Sequence, residues 1–141
     1  QDLPKDINIY VGPNEGTYKN FLNLPTRGTM DEIYKDHGSI KQLTFEGDKK
    51  NLRFLDFFGD GSFIVISSPG HTPGSLSFIV KSADRVDLVV GDTSHTKWGW
   101  ENSVTPGDFT LDLEDNKRTL DELIELSNVN NYKVHLGHQS L

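Results

Sequence analysis

The chain has 141 residues and a formal net charge of −7, from 14 Lys and Arg against 21 Asp and Glu residues. That balance argues against a nucleic-acid-binding surface, because phosphate binding needs clustered positive charge. No apolar run approaches the roughly 20 residues of a membrane-spanning helix, and the lack of cysteine excludes disulfides and thiolate ligands. We therefore expect a soluble protein with no nucleic-acid or membrane partner, and composition leaves a cytoplasmic or periplasmic location open.

The first forty residues combine one predicted strand with two helix-prone stretches. Residues 7–11 are rich in β-branched side chains and stop at a Gly-Pro-Asn turn, which predicts a strand. Helices are predicted over residues 15–22 and from Thr29, an N-cap residue with a glutamate three positions later, to residue 38. His37 falls in the last turn of the second helix, where histidine complements the helix dipole, so we interpret it as structural.

Gly and Asp residues punctuate the middle of the chain and separate three β-rich runs, at residues 40–46, 52–58 and 62–67. These turn signals predict an antiparallel meander. Two more strands are predicted at residues 75–81 and 86–91.

The C-terminal part is predicted as a helix over residues 112–129 followed by a strand over residues 132–136. Negative charge at a helix start complements the dipole, so the carboxylates at positions 112, 114 and 115 are interpreted as helix chemistry rather than catalytic groups. The stripe predicted to face the core consists of Leu113, Lys117, Leu120, Leu123, Ile124 and Ser127.

The most distinctive stretch, residues 67–75, reads Ser-Ser-Pro-Gly-His-Thr-Pro-Gly-Ser and joins two predicted strands. Proline fixes φ and glycine permits unusual φ values, so this loop should hold His71 in one direction. Such an arrangement suits a metal ligand or a catalytic base. A hairpin turn with an exposed histidine explains the same residues.

Two later strands end in a similar way, one at Asp92 after a glycine and one at His138 after a glycine. Ligands at strand ends can converge at one edge of a sheet, and two imidazoles with one carboxylate suit zinc. The sequence therefore predicts a metal site of His71, Asp92 and His138. Alternatively, Asp92 bonds backbone amides in a turn and His138 merely follows a strand. His135 should lie on the opposite strand face from His138 and is interpreted as structural.

Pro-Gly-His-Thr-Pro-Gly-Ser, Gly-Asp and Gly-His, in that order, resemble the C-terminal half of a metallo-β-lactamase-superfamily hydrolase, from about Ile7 onward. The resemblance implies an α/β (α+β) fold, part of an αββα sandwich with a mostly antiparallel sheet and flanking helices. The family's His-x-His-x-Asp-His string does not occur, so we expect residues 1–141 to be the C-terminal portion of a single domain. Half a sandwich leaves one sheet face bare, which predicts a cover from the missing N-terminal half or a second copy.

The same resemblance implies a hydrolase of small carbonyl substrates such as lactones, esters or thioesters, with two zinc ions in the intact protein. His71 would complete the three-histidine set of one ion, Asp92 would bridge both ions, and His138 would bind the second ion. We expect the chain alone to be inactive, because it holds only part of each metal site. The alternative is a non-catalytic binding or structural domain that retains the fold, and the acidic charge disfavours a nuclease of the same superfamily.

The long loop after Asp92 is expected to carry specificity. Homoserine lactonases read Gly-Asp-x-x-Tyr-Thr here, with the tyrosine helping to bind the substrate carbonyl, and this sequence has His95 at that position. Histidine can also donate a hydrogen bond, so His95 is a candidate for catalytic support. Trp98 and Trp100 are candidates for lining an acyl-binding cleft, or alternatively for packing the loop.

Overall fold

The computed structural model describes residue 4 and residues 7–17, 40–108 and 110–139. The strands in this part of the chain are β1 Ile9–Val11, β2 Ile40–Gln42, β3 Arg53–Asp56, β4 Phe63–Ser67, β5 Leu76–Lys81, β6 Val86–Val89 and β7 Lys133–His135. Two α-helices follow β6, a short helix Lys97–Glu101 and a long helix Leu113–Asn130. A 3-10 turn covers Glu15–Thr17, and the rest of the two predicted N-terminal helices, with His37, lies outside the described residues.

Five strands form one sheet in the order β3-β4-β5-β6-β7. The pairs from β3 to β6 are antiparallel, and β7 pairs with β6 in parallel. Because β4 and β6 both run opposite to β5, the strands β4, β6 and β7 point in one direction and end at the same sheet edge. The expected mixed α/β architecture with a mostly antiparallel sheet is confirmed.

The predicted meander is wrong at its first strand. Instead of pairing with β3, β2 pairs in parallel with β1 to form a separate two-stranded sheet, with Ile9 opposite Ile40 and Val11 opposite Gln42. A backbone bond of 2.9 Å from the Leu43 amide to the Val11 carbonyl extends this pairing. Turn signals show where the chain reverses, but they do not specify which strand becomes the neighbour.

The hydrophobic core lies between the long helix and one face of the five-stranded sheet. The strand register places side chains from successive strands on that face, among them Ile64, Ile79 and Leu88. Burying an aliphatic side chain of this size contributes about 1.5–3 kcal/mol. The buried residues in mutual contact are Ile66, Ile79, Leu88, Val90 and Leu123.

The long helix starts as predicted, with the Asp112 carboxylate accepting a hydrogen bond of 2.9 Å from the Asp115 amide. Its predicted core stripe is only partly right. Leu120, Leu123 and Ser127 are buried, whereas Leu113 and Lys117 are exposed. Near the helix start the buried positions are Asn116 and Thr119, because that end contacts polar loop backbone rather than the apolar sheet.

The other sheet face carries aromatic side chains. Phe63 and Phe78 stack with centroids 5.5 Å apart, and Phe57 makes edge contacts with Tyr10 and Phe63. Phe58 is 67% exposed beside them. This face therefore presents apolar surface that the described elements cover only in part. No helix among the described residues is long and apolar enough to cross a membrane.

Candidate metal centre

The edge at which β4, β6 and β7 end brings three histidines around one carboxylate. His71 follows β4, Asp92 and His95 follow β6, and His138 follows β7. One Asp92 oxygen, Oδ2, lies 3.7 Å from His71 Nε2. The other, Oδ1, lies 3.0 Å from His138 Nε2 and 3.7 Å from His95 Nε2. The structure thus brings the three predicted ligands together and adds His95.

His71 lies in a loop whose conformation requires glycine at the preceding position, Gly70. Gly70 has φ +138°, and a Cβ there would lie 2.3 Å from the Asn116 Cα. Either the positive φ or this contact would exclude a side chain. The loop does connect two antiparallel strands, as a hairpin would, but His71 is half-buried and faces Asp92 rather than solvent alone.

The start of the long helix holds both ligand-bearing loops. The Thr119 hydroxyl donates to the Pro69 carbonyl at 2.8 Å, and the Asn116 side-chain amide donates to the Thr93 carbonyl at 3.1 Å. Backbone amides before the helix also bond the carbonyls of residues 70 and 71, at 3.0 and 3.1 Å. One rigid element therefore fixes the loop before His71 relative to the turn that contains Asp92.

His138 is held beside the Asp92 turn by backbone pairing beyond the end of β7. The Gly137 amide donates to the Ser94 carbonyl at 3.1 Å, and the His138 amide donates to the His95 carbonyl at 3.2 Å. A Cβ on Gly137 would lie 2.9 Å from Asp92 Oδ1. The Gly-His pair therefore leaves room for the carboxylate and then places the imidazole next to it.

His95 has the least satisfied side chain of the cluster. Its Nε2 atom is buried, and no hydrogen-bond partner for it occurs among the described residues. Its ring packs against the His138 ring at a centroid distance of 4.1 Å. Burial lowers the pKa of His95, and His138 lowers it further against the opposing effect of Asp92. Low pKa favours the neutral imidazole, which is the form that binds metals.

The sequence profile of the metallo-beta-lactamase superfamily matches residues 6–138. The chain belongs to the metallo-β-lactamase superfamily. Superfamily membership confirms the resemblance drawn from the three ordered motifs, and it implies metal ions at a site of this kind.

Similar proteins include bacterial lactonases and a fungal lactamase. N-acyl homoserine lactonase AttM of Agrobacterium fabrum is 31% identical over 86 residues, which is 60% of this chain and 32% of that protein. Gamma-lactamase MBL2 of Gibberella moniliformis is 33% identical over 105 residues, 67% of this chain and 43% of that protein. The chain thus spans less than half the length of either relative.

Solved lactonase structures share the fold. A variant of AiiA from B. thuringiensis with N-decanoyl-L-homoserine bound at the active site superposes with a TM-score of 0.68 at 19% identity, covering 95% of this chain and 48% of that one. The same values hold for an N-acyl homoserine lactone hydrolase with N-hexanoyl-L-homoserine bound at its catalytic metal center. At this identity the likeness supports the fold alone.

The donor set fits the metal that the superfamily implies. His71, Asp92 and His95 each offer one ligand atom, and these atoms lie within 4.8 Å of one another. Imidazole nitrogen with carboxylate oxygen suits zinc and similar divalent ions. The buried, unpartnered Nε2 of His95 is the kind of atom that a bound cation would satisfy.

The two tryptophans of the loop after Asp92 differ in their surroundings. Trp100 packs against the hydrophobic core, whereas Trp98 is 64% exposed on the short helix that begins two residues after His95. Trp100 thus fits the packing alternative, and Trp98 remains available for a ligand. His135 lies outside the cluster, with its Nε2 2.7 Å from Asp87 Oδ1, in keeping with a structural role.

Asn116 and Thr119 support the candidate site, and sequence reasoning missed both. They are buried, they anchor the loops of two predicted ligands, and they lie outside the predicted stripe. The sequence did contain a signal, since Asn116 lies four residues before buried Leu120 and Thr119 lies four residues before buried Leu123. Polar residues at such positions indicate hydrogen bonds to neighbouring backbone rather than exposure to solvent.

Proposed function

We propose that this chain is the C-terminal half of a hydrolase that uses two zinc ions to act on small carbonyl substrates such as lactones, esters or thioesters. The observation that carries the proposal is the orientation of Asp92, which turns one carboxylate oxygen toward His71 and the other toward His138. A carboxylate can bridge two ions because each oxygen offers its own lone pairs. His71 and His138 would then serve one ion each.

The substrate class rests on the relatives. AttM is named as an N-acyl homoserine lactonase and MBL2 as a gamma-lactamase, and both names describe opening of a cyclic carbonyl compound. One structure of the same fold contains a ring-opened homoserine product at a catalytic metal center. A lactone is therefore the first substrate to test for the intact protein.

Each candidate site residue of this chain has its own role in the proposed reaction. His71, Asp92 and His138 would hold the metal, while the Gly70 loop and the long helix keep them at fixed separations. A divalent ion at this edge would polarise a carbonyl and lower the pKa of water toward about 7. His95 faces the same space and supports catalysis there, and exposed Trp98 is placed to contact an acyl chain.

The chain supplies only part of such a site. The remaining histidines and aspartate would come from upstream residues, and that N-terminal half or a second copy would cover the aromatic face around Phe58, Phe63 and Phe78. An apolar face of this kind favours burial against another layer. Activity therefore depends on a longer or associated protein.

The test is zinc-dependent hydrolysis of a simple lactone and p-nitrophenyl acetate, measured for the 141-residue chain alone and for the chain with its upstream half. We expect no turnover from the chain alone, turnover from the complete protein, and loss of that turnover in Asp92→Ala. Turnover by the isolated chain at the level of an intact lactonase would contradict the proposal. Full activity in Asp92→Ala would contradict it too, and a complete but inactive protein would favour the non-catalytic domain.

A further inference from the structure

His95 occupies a position where a hydrogen-bonding side chain would be expected to have a partner. Its Nε2 is buried and has none among the described residues, although the Asp92 Oδ1 atom lies 3.7 Å away. That separation is too long for a hydrogen bond. A buried nitrogen without a hydrogen-bond partner is unfavourable unless a water molecule or an ion binds it.

The spacing of the donors matches that of atoms sharing one ion. Zinc binds imidazole nitrogen and carboxylate oxygen at about 2.0–2.2 Å, so two donors of a tetrahedral site lie about 3.4 Å apart. His71 Nε2 lies 3.7 Å from Asp92 Oδ2, and His95 Nε2 lies 3.7 Å from the other oxygen, Oδ1. The three ligand atoms also lie within 4.8 Å of one another. Placing all three around a single ion requires the ligand atoms, now within 4.8 Å of one another, to approach to about 3.4 Å.

We propose that His95 is itself a metal ligand, which shares one divalent ion with His71 and Asp92. The chain then carries a three-donor site of its own, with an open position for water or substrate, as catalytic zinc sites have. The inference rests on the metal centre of the proposed function but not on its substrate. It replaces carbonyl binding, the role suggested by the lactonase tyrosine at this position, with direct coordination.

His138 is not needed to complete this three-donor site. Its Nε2 lies 3.0 Å from Asp92 Oδ1, a hydrogen-bond distance, and its ring packs on that of His95. In the isolated chain His138 orients the carboxylate, and in the proposed two-ion protein it remains available for the second ion. Loss of His138 should therefore weaken the single-ion site less than loss of His95.

The experiment is a Co²⁺ titration of the 141-residue chain followed by visible absorption, with variants that replace imidazole by an aromatic ring without a donor. Even loss of an outer-shell partner costs about 10- to 100-fold in metal affinity, so His95→Phe should weaken binding by more than about 100-fold. His71→Phe should do the same. His135→Phe is the matched control and should bind Co²⁺ as the wild type does, because His135 contacts Asp87 instead.

A second measurement uses the unaltered chain and does not depend on folding of a variant. With ¹¹³Cd²⁺ bound, the imidazole ¹⁵N signals of His71 and His95 should each show coupling to the metal, with the histidine signals assigned in the wild-type chain itself. Wild-type affinity in His95→Phe alongside lost affinity in His71→Phe would overturn the inference and leave the proposed metal centre standing. A spectrum in which ¹¹³Cd couples to His71 but not to His95 would also overturn the inference. A wild-type chain that binds neither ion would also overturn it, while the hydrolase proposal would still be decided by the assay on the complete protein.

Discussion

Two Asp–His pairs join β6 to β7: Asp87 with His135 on the strands themselves, and Asp92 with His138 just beyond their ends. The pairs differ in how completely their hydrogen bonds are satisfied. Asp87 lies on β6 with a side chain only 12% exposed, and both its oxygens are bonded, to His135 Nε2 at 2.7 Å and to Arg85 Nε at 2.8 Å. Asp92 lies beyond β6, is 46% exposed, and faces three imidazoles at 3.0 to 3.7 Å.

This comparison shows what separates a structural pair from a candidate metal site on the same two strands. The Asp87 pair satisfies its own hydrogen bonds and charge within the protein, so a cation would gain nothing there. The Asp92 cluster gathers three imidazoles around one carboxylate, of which only His138 lies at hydrogen-bond distance, and it leaves His95 Nε2 without a partner among the described residues. An excess of unsatisfied donors, rather than the presence of Asp and His, marks the site.

The largest expected effect is the loss of zinc affinity when the Asp92 carboxylate is neutralised. Asp92→Asn should weaken Zn²⁺ binding by the chain more than about 100-fold, because it removes the carboxylate of the cluster. Loss of an outer-shell partner alone costs about 10- to 100-fold in metal affinity, and loss of a ligand should cost more. The metal-free stability should change by no more than about 0.5 kcal/mol, as for other exposed sites. Isothermal titration with Zn²⁺ and urea unfolding measure the two quantities.

The matched control, Asp87→Asn, should behave in the opposite way. It should leave zinc affinity unchanged but lower the urea midpoint, because Arg85 and His135 would face a neutral amide with one acceptor oxygen in place of a carboxylate with two. If Asp87→Asn weakened zinc binding as strongly as Asp92→Asn, the two pairs would not be functionally distinct.

A smaller effect is expected from filling the space that Gly137 leaves beside the Asp92 side chain. In Gly137→Ala the new Cβ would lie 2.7 Å from the Gly91 carbonyl oxygen and 2.9 Å from Asp92 Oδ1. We expect zinc affinity to fall about 10- to 100-fold through displacement of the carboxylate, and stability to fall by about 1–3 kcal/mol from overpacking.

Gly16→Ala is the control for that substitution, since no atom of the described residues lies within 4 Å of a Cβ at Gly16. It should leave both zinc affinity and the urea midpoint as they are in the wild type. Unchanged zinc affinity in Gly137→Ala would show that the Asp92 carboxylate does not need its present position.

The sequence predicted the parts of the site that depend on strand direction. His71, Asp92 and His138 each follow a strand, so their convergence needed only β4, β6 and β7 to be parallel to one another. It singled out His95 as a candidate for catalytic support but not as a possible metal ligand, because its position beside Asp92 and His138 depends on backbone pairing between residues 94–95 and 137–138, which are distant in sequence.

The same distinction explains the errors in the fold. The bounds of the long helix were predicted to within one residue because periodicity and acidic residues at the helix start are local signals, and the structure adds that Asp112 is the N-cap. The pairing of β2 with β1 was missed because turns between neighbouring strands carry no information about a partner 31 residues away, as Ile9 is from Ile40. Asn116 and Thr119 were missed because their partners, the Thr93 and Pro69 carbonyls, belong to other loops.

The smallest expected effect is a pH dependence that belongs to the structural pair. Hydrogen bonds from His135 and then from Arg85 hold the pKa of the Asp87 carboxyl below its usual value. A carboxyl whose pKa is lower in the folded state than its unfolded value of about 3.9 stabilises the fold above that value. Its contribution declines as the pH falls below about 4 and is lost once the pH passes the folded pKa.

The difference in urea midpoint between the wild type and Asp87→Asn should therefore shrink as the pH falls below about 4. His135→Ala should reduce this acid-dependent part, because His135 contributes most to the lowered pKa. A difference that stayed constant down to pH 2 would mean that the Asp87 carboxyl titrates alike in the folded and unfolded states. The bonds to His135 and Arg85 would then contribute to geometry without stabilising the charge, and the contrast with Asp92 would rest on metal binding alone.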